Sequence, residues 1–291
     1  MKNAETKAII AILFMTLIWG GTFPLIKAML AYVTPMELLA YRFLFAAVVA
    51  MPFFLIKAKK EIKNLPKLLL LGGFLWVAYF SQTVGLTFTT PSKSAFITGL
   101  YIVFTPVFAL LIVKEKLTKQ LIVSLVFAVA GILLLSGITI ANLTLEKGDL
   151  ITILCAVAFA VQIVLTNIYV KNSDMGFIAS VQMLVMFGLS ALFLHGRLNF
   201  KFPLWVNLSF VFLGTCAGFF SILAETYSLN ILDPDKASIM FSLEPVFAGI
   251  FSFVFLKEAL KPKDIIGSIL ILIAMWLAIK SNMSKNNHSK I

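Results

Sequence analysis

Residues 82–93 read QTVGLTFTTPSK and residues 225–236 read ETYSLNILDPDK, so one stretch of the chain recurs after 143 residues. The correspondence runs without a gap from residues 70–135 to residues 213–278. The identical pairs include Thr83/Thr226, Leu86/Leu229, Pro91/Pro234, Lys93/Lys236, Val103/Val246, Phe104/Phe247, Phe108/Phe251, Lys114/Lys257 and Glu115/Glu258. The chain therefore contains an internal duplication.

The composition is that of a membrane protein. Hydrophobic residues make up 60% of the chain, charged residues only 13%, and the mean hydropathy is +1.01, whereas about 25% of the residues in a soluble domain are charged. A helix needs about 20 apolar residues to cross a hydrocarbon core of roughly 30 Å. Runs of about this length occur near residues 7–29, 35–57, 67–88, 94–113, 119–138, 150–170, 176–195, 206–230, 236–256 and 263–281. The runs are continuously apolar rather than alternating, which favours ten transmembrane helices over a β-barrel.

Five spans in each copy force the second copy to lie upside down relative to the first. We therefore predict an all-α integral membrane protein of ten transmembrane helices in two inverted five-helix repeats. The predicted boundaries are residues 1–140 for the first repeat, 148–281 for the second, inverted repeat and 282–291 for a polar cytoplasmic tail. Inverted repeats of this kind are typical of secondary transporters, in which the substrate binds at the repeat interface.

The placement of lysines predicts the orientation. In the first half the lysines at the loops lie on one side of the membrane, with Lys93 as the exception, and the second half has no clear bias. The positive-inside rule then puts both termini in the cytoplasm, with Glu115 inside and Glu258 outside. Lysines near anionic head groups account for much of the net charge of +11, so we expect a lipid bilayer and no nucleic acid as partner.

Several motifs resemble one transporter family. They are Ile18-Trp19-Gly20-Gly21-Thr22-Phe23 in span one, Arg42 in span two, Thr90-Pro91-Ser92-Lys93-Ser94-Ala95, Thr105-Pro106, Lys114-Glu115, Glu244-Pro245-Val246-Phe247 and Lys257-Glu258. In these features the chain resembles the ten-span EamA-type members of the drug/metabolite transporter superfamily. The resemblance implies a carrier in the cytoplasmic (inner) membrane for small metabolites such as amino acids, or for drugs, commonly acting as an exporter.

Two glutamates are the main candidates for the binding site. Glu225 lies nine residues before Pro234 and Glu244 ten residues after it, which places both carboxylates about 13 to 15 Å from the turn, near the middle of the bilayer. A charge at this depth costs about 3 kcal/mol on insertion scales, so it usually faces a cavity or a partner. We interpret the pair as a site for an ammonium group or a proton. The alternative is a structural role, in which Glu244 holds backbone amides or a lysine.

Symmetry and side-chain chemistry extend this site. The repeat places Gln82 and Tyr101 opposite Glu225 and Glu244, and the alternative for both is an interhelical hydrogen bond. A weaker correspondence at a spacing of 140 pairs Trp19 with Phe159, Thr22 with Gln162 and Arg42 with Gln182. The guanidinium of Arg42 suits a substrate carboxylate or an internal carboxylate partner. The full set of predicted substrate-binding residues is Trp19, Arg42, Tyr79, Gln82, Tyr101, Gln162, Glu225 and Glu244.

Helix-breaking residues suggest where spans bend. We expect Gly20, Gly21, Pro106 and Pro245 to act as kinks or gates, with packing alone as the alternative for the glycines. Pro106 follows Lys93 by 13 residues and Pro245 follows Lys236 by nine. A kink that follows the prolines is therefore expected to shift between the halves by about one helical turn.

The sequence favours a secondary transporter over two alternatives, a membrane channel and a membrane-embedded polyprenyl-type enzyme. The chain lacks nucleotide-binding loops, and Cys155 and Cys216 have no metal-ligand spacing. We expect no enzymatic activity, no cofactor and no bound metal. The expected partners are a small-molecule solute and protons, and the protein is expected to be a monomer or homodimer.

Overall fold

A computed structural model describes residues 2–114, 118–136, 147–194, 200–256 and 261–288. The helices in these ranges are α1 (Lys2–Met29), α2 (Pro35–Glu61), α3 (Leu65–Thr87), α4 (Pro91–Gly99), α5 (Tyr101–Phe108), α6 (Lys119–Ser136), α7 (Lys147–Tyr169), α8 (Met175–Ala191), α9 (Leu204–Gly214), α10 (Ser221–Ile231), α11 (Pro234–Phe241), α12 (Leu243–Leu256) and α13 (Pro262–His288). Two π-helical segments, Ala109–Val113 and Thr215–Phe220, extend α5 and join α9 to α10.

These elements form the ten expected spans. Seven stretches are long and apolar enough to cross a membrane, and one of them, Pro35–Thr87, holds both α2 and α3. Shorter apolar helices at Lys119–Leu134 and Ile265–Ala278 complete the ten. Spans four, eight and nine are each built from two helices: α4 with α5, α9 with α10, and α11 with α12. The prediction of an all-helical membrane fold is confirmed.

The helix ends fall on two faces. Asn64 donates a hydrogen bond to Ser173 Oγ (2.7 Å) and Lys171 donates to Asn230 O (2.6 Å), which brings the ends of spans two, six and eight together. We call this the N-terminal face, because α1 begins there. On the far face, the rings of Tyr32 and Trp205 meet edge to face, where spans one and eight have their other ends. Glu115 and Glu258 lie outside the described residues, so their predicted placement on opposite sides stays a prediction.

Helix starts follow ordinary capping chemistry. Thr34 caps α2 in a reciprocal arrangement, in which Glu37 Oε2 accepts from the Thr34 amide at 2.8 Å while the Thr34 hydroxyl accepts from the Glu37 amide. Asp174 accepts hydrogen bonds from two amides at the start of α8. Such caps satisfy amides that have no partner within the helix. They fix where spans two and seven enter the bundle.

The α-helix is interrupted once within span four and once within span nine. The α-helix is interrupted at Leu100 in span four and at Ser242 in span nine, only one residue apart in the repeat. Pro106 lies six residues beyond the first break, ahead of a π-helical segment, and Pro245 three residues beyond the second. The breaks therefore follow the repeat, and in both halves they lie beside the centre of the bundle.

The two halves interlock rather than lie side by side. Helices α1 and α12 pack together, as do α3 with α7, α2 with α8 and α6 with α13. Each of these pairs joins a helix of the first half to one of the second. A large core of buried apolar side chains runs through both halves, from Ala8 to Ala278. The centre of this core is where the polar side chains meet.

Candidate functional site

A small cavity lined almost entirely by buried residues lies between the two halves at the centre of the bundle. It holds about 20 Å³, which is room for about one water molecule. Its walls come from spans one, two, three, four, six, eight and nine. The lining residues are Trp19, Thr22, Arg42, Tyr79, Gln82, Tyr101, Phe159, Ile163, Glu225, Phe241 and Glu244. One guanidinium group, two carboxyl groups and several aromatic rings therefore line the same small cavity.

Glu225 is buried on α10 with one oxygen unsatisfied. Its side chain lies within hydrogen-bonding reach of Gln162 on α7. Gln162 in turn donates from Nε2 to Thr166 Oγ1 and to Gln182 Oε1, both at 3.1 Å. Glu225 Oε2 has no hydrogen-bond partner although it is buried. Since buried polar atoms are normally paired, this oxygen is free to bind a ligand or a proton.

Glu244 lies at the start of α12 and faces the Tyr101 hydroxyl of span four. The Tyr101 oxygen is buried and makes no hydrogen bond of ordinary geometry. Both residues are less than a tenth exposed. Because Glu225 and Glu244 line the same cavity, two carboxylates are present in one site.

Arg42 brings a positive charge into this cavity and is 1% exposed. Its Nε donates to Leu213 O at 3.2 Å. Its guanidinium carbon lies 4.6 Å from the centre of the Tyr79 ring, a distance typical of a cation–π contact. Nη1 is buried without a partner. Among the described residues, no ion pair joins Arg42 to either glutamate, so the cavity contains opposite charges that do not neutralise each other directly.

Trp19 is held in the cavity wall by a long-range contact. Its indole nitrogen donates to Ala217 O at 2.9 Å, and its ring meets that of Phe241 edge to face. Ala217 lies in the π-helical segment Thr215–Phe220. This segment begins two residues after Leu213, whose carbonyl accepts the hydrogen bond from Arg42. Segments of π-helix are frequent at functional sites. Here the segment borders on two cavity residues from the first half.

The cavity breaks the symmetry of the repeat through charge. In the repeat, the position equivalent to Arg42 is Gln182, that equivalent to Glu225 is Gln82, and that equivalent to Glu244 is Tyr101. Each charged side chain in one half thus matches a neutral, hydrogen-bonding side chain in the other. The positive charge comes from the first half and both negative charges from the second.

Comparisons with known proteins agree with this architecture. The sequence matches the EamA-like transporter family over residues 6–137 and again over residues 146–280. The chain belongs to the EamA-like transporter family. It is therefore a multi-pass membrane transporter, and a small-molecule solute is its partner.

Individual relatives of this EamA-like transporter extend over nearly the whole chain. An uncharacterised transporter of Archaeoglobus fulgidus is 30% identical over 262 residues, covering 90% of this chain and 82% of the relative. The uncharacterised transporter YcxC of Bacillus subtilis is 27% identical, covering 100% of this chain and 97% of YcxC. A solved crystal structure with 18% identity superimposes with a TM-score of 0.75 and covers 95% of each chain. This last likeness concerns the fold alone.

The structure brings most of the predicted site residues of this EamA-like transporter together. Seven of them line the cavity: Trp19, Arg42, Tyr79, Gln82, Tyr101, Glu225 and Glu244. Gln162 lies directly behind Glu225 rather than in the lining. Sequence reasoning missed Thr22, Phe159, Ile163 and Phe241 as cavity residues. The first two carried a signal, because Thr22 follows Trp19 by one helical turn and Phe159 is the repeat partner of Trp19.

The glycines proposed as gates differ in their surroundings. A Cβ atom on Gly20 would lie 2.6 Å from Phe247 Cβ and 2.9 Å from Glu244 O, so only glycine fits there. A Cβ atom on Gly21 would lie 3.4 Å from the Phe251 ring, an ordinary contact. Gly20 therefore brings α1 against α12 beside a cavity glutamate. Among the described residues, no group of three His, Cys, Asp or Glu side chains is placed to hold a metal ion.

Proposed function

We propose that the protein is a secondary transporter for small zwitterionic solutes of the amino-acid type, working by alternating access. The observation that carries this proposal is the placement of Arg42, Glu225 and Glu244 in one small cavity without an ion pair between them. Arg42 is assigned to the solute carboxylate. Glu225 and Glu244 are assigned to its ammonium group and to a proton.

Electrostatics supports this assignment. An isolated charge is costly inside a protein unless a partner neutralises it. Nη1 of Arg42 and Oε2 of Glu225 are both buried and unpaired, so a solute with both charges supplies what each lacks. Arginine binds a carboxylate through two parallel hydrogen bonds, and the aromatic rings of Trp19 and Phe159 suit the apolar part of the solute.

The charges of the cavity also support coupling to protons. One arginine and two ionised glutamates leave a net charge of −1, and a zwitterion does not change it. One proton bound by Glu225 or Glu244 makes the loaded cavity neutral. Two carboxylates that share a proton titrate as a pair. We therefore propose that a proton and the solute are bound together or in alternation.

The small size of the cavity supports a carrier rather than a channel. At about 20 Å³ it has no room for an amino acid, so the site must open before it loads. Contacts close it on both sides. On the N-terminal face, Ser228 Oγ donates to Ala8 O at 3.2 Å; on the far face, Gly85 packs against Gly148. These contacts occupy equivalent places in the two halves, as alternating opening requires.

Transport by reconstituted protein tests the proposal. Proteoliposomes are loaded with unlabelled leucine, isoamylamine or isocaproate, so that the compounds differ only in the charged groups they carry. Counterflow of labelled leucine is expected to saturate, and the two analogues are expected to drive it poorly. Equal counterflow with isoamylamine would refute the role of a carboxylate. Flux without saturation or counterflow would indicate a channel.

Variants of Arg42 test whether this residue binds the solute carboxylate. Arg42→Gln is expected to raise the KM for leucine by roughly 10- to 100-fold, because a hydrogen bond to a charged group contributes about 1.5–3 kcal/mol. Arg42→Lys keeps the charge but loses the planar fork, so an intermediate effect is expected. Transport of any amine substrate should change less. An unchanged KM for leucine in both variants would remove Arg42 from the site.

A further inference from the structure

We propose that the ion pair between Lys93 and Asp149 is the gate on the far face of the membrane, which must break for the cavity to open to that side. Lys93 Nζ lies 2.8 Å from Asp149 Oδ2. Lys93 stands in the first turn of α4 and Asp149 in the first turn of α7. The pair therefore joins the first half of the molecule to the second.

Burial makes this ion pair costly to break. The side chain of Asp149 is 1% exposed and that of Lys93 is 25% exposed. Separating a buried pair leaves a charge without compensation, which is strongly destabilising, whereas exposed pairs contribute little. Lys57 and Asp174 form such an exposed pair on the N-terminal face, with side chains 43% and 35% exposed. The two pairs thus share their chemistry and differ in burial.

The pair lies next to a close contact between the two halves on this face. A Cβ atom on Gly148 would lie 2.9 Å from Gly85 O and 2.9 Å from Phe88 Cβ. Helices α3 and α7 therefore meet backbone to backbone next to Asp149. Water cannot pass between them unless α7 moves away from α3.

Helix α4 connects the pair to the cavity. Ser94 and Thr98 lie on α4 below Lys93, and both are buried. Gln82, which lines the cavity, donates to Thr98 Oγ1 at 3.4 Å. A water route from the far face along α4 passes Ser94 and Thr98. Such a route requires α4 to separate from α7, which breaks the ion pair.

The repeat does not reproduce this pair on the N-terminal face. The position equivalent to Asp149 is Ile9, which has no charge, and the equivalent lysine, Lys236, pairs with Asp233 of its own hairpin. Because Ile9 cannot form an ion pair, the Lys93–Asp149 contact has no counterpart at the equivalent position of the repeat. It raises the free energy of opening to the far face in the absence of solute.

Thiol labelling tests the gate without any solute. In a background with Cys155→Ala and Cys216→Ala, Ser94→Cys reports opening of the far face and Ser228→Cys reports opening of the N-terminal face. A membrane-impermeant thiol reagent is applied to right-side-out and to inverted vesicles. Lys93→Gln and Asp149→Asn are each expected to increase labelling of Ser94→Cys from the far face several-fold, with no increase at Ser228→Cys.

A charge swap and an exposed pair provide the controls. The double variant Lys93→Asp with Asp149→Lys is expected to return labelling towards that of the parent. Lys57→Gln with Asp174→Asn is expected to change neither reporter. Unchanged labelling in both single variants, or a swap that labels as fast as they do, would overturn the gate.

A variant that has lost its fold would be labelled at both reporters. In that case Lys93→Arg, which keeps the positive charge, tests whether the ion pair closes the far face. Labelling as slow as in the parent supports the ion pair, and faster labelling refutes it. The inference rests on the alternating access proposed above but not on the solute, so a failure to transport amino acids leaves the labelling result intact.

Discussion

Lys27 and Asn167 make the same pair of hydrogen bonds in the two halves of the molecule. Lys27 Nζ donates to the carbonyls of Leu86 and Thr89 at 2.7 and 2.8 Å. Asn167 Nδ2 donates to those of Leu229 and Leu232 at 2.6 and 3.2 Å. The donors are 140 residues apart and the acceptors 143, as the two spacings of the repeat require. Each donor caps the last carbonyls of a helix on its own face of the membrane.

These caps are expected to stabilise the fold. Asn167→Leu keeps the volume of the side chain and leaves the carbonyls of Leu229 and Leu232 without their donor in a buried place, so a loss of about 1–3 kcal/mol is expected. Lys27→Met should cost less, because water reaches part of its site. Thermal unfolding in detergent measures both. Lys171→Met, whose exposed ammonium group donates to Asn230 O, is the control and should have the smallest effect.

Glu225 and Glu244 are expected to act as a unit in transport. Glu225→Gln keeps size and hydrogen bonding but removes the ionisable group, so uptake driven by a pH gradient should fall to background. Glu244→Gln should act in the same direction, and the double variant should lose less than the sum of the two effects.

The glutamate prediction has a matched control at a half-buried site outside the cavity, Glu37. Glu37→Gln preserves the cap of α2, since glutamine serves in the same capping arrangement, and it should transport like the parent. All variants are compared at equal reconstituted amounts. Unchanged rate and pH dependence in both single variants would leave Glu244 with a structural role.

Gly20 and Gly21 are neighbours with different expected tolerance. Gly20→Ala places a methyl group 2.6 Å from Phe247 Cβ and 2.8 Å from Ala248 N, and relieving this overlap should cost about 1–3 kcal/mol. Gly21→Ala meets only the Phe251 ring at 3.4 Å and should be close to neutral. Unfolding temperatures of the two variants in detergent give the comparison, and an equal loss in both would contradict the close contact of α1 with α12.

The orientation in the membrane is predicted from the lysines. Ala31→Cys on the far face should react with an impermeant thiol reagent added to intact cells. Asn172→Cys on the N-terminal face should react only after the membrane is permeabilised. Both positions are exposed in turns between helices, and both variants are made in the background without Cys155 and Cys216. Labelling of both from the same side would refute the arrangement of the ten spans.

The repeat in the sequence predicts much of the candidate site. Glu225 and Glu244 flank a turn at similar distances, which sets their depth, and the spacing of 143 leads from them to Gln82 and Tyr101. The lining also includes Phe241 and Ile163, which no pattern in the sequence predicts. Whether an apolar side chain faces a cavity, the core or lipid depends on the rotation of its helix, and that rotation is set by neighbouring helices from distant parts of the chain.

The sequence by itself determined the ten spans, the duplication and the inversion of the second half, because these depend on local hydrophobicity and on the number of spans in each copy. Only the tertiary structure decided the partners. It placed Arg42 against Leu213 O and the Tyr79 ring rather than against a glutamate, and it put the helix breaks of spans four and nine at Leu100 and Ser242. It also paired Lys93 with Asp149 across the two halves. Such contacts depend on how closely helices approach and in what rotation, and packing between distant segments sets both.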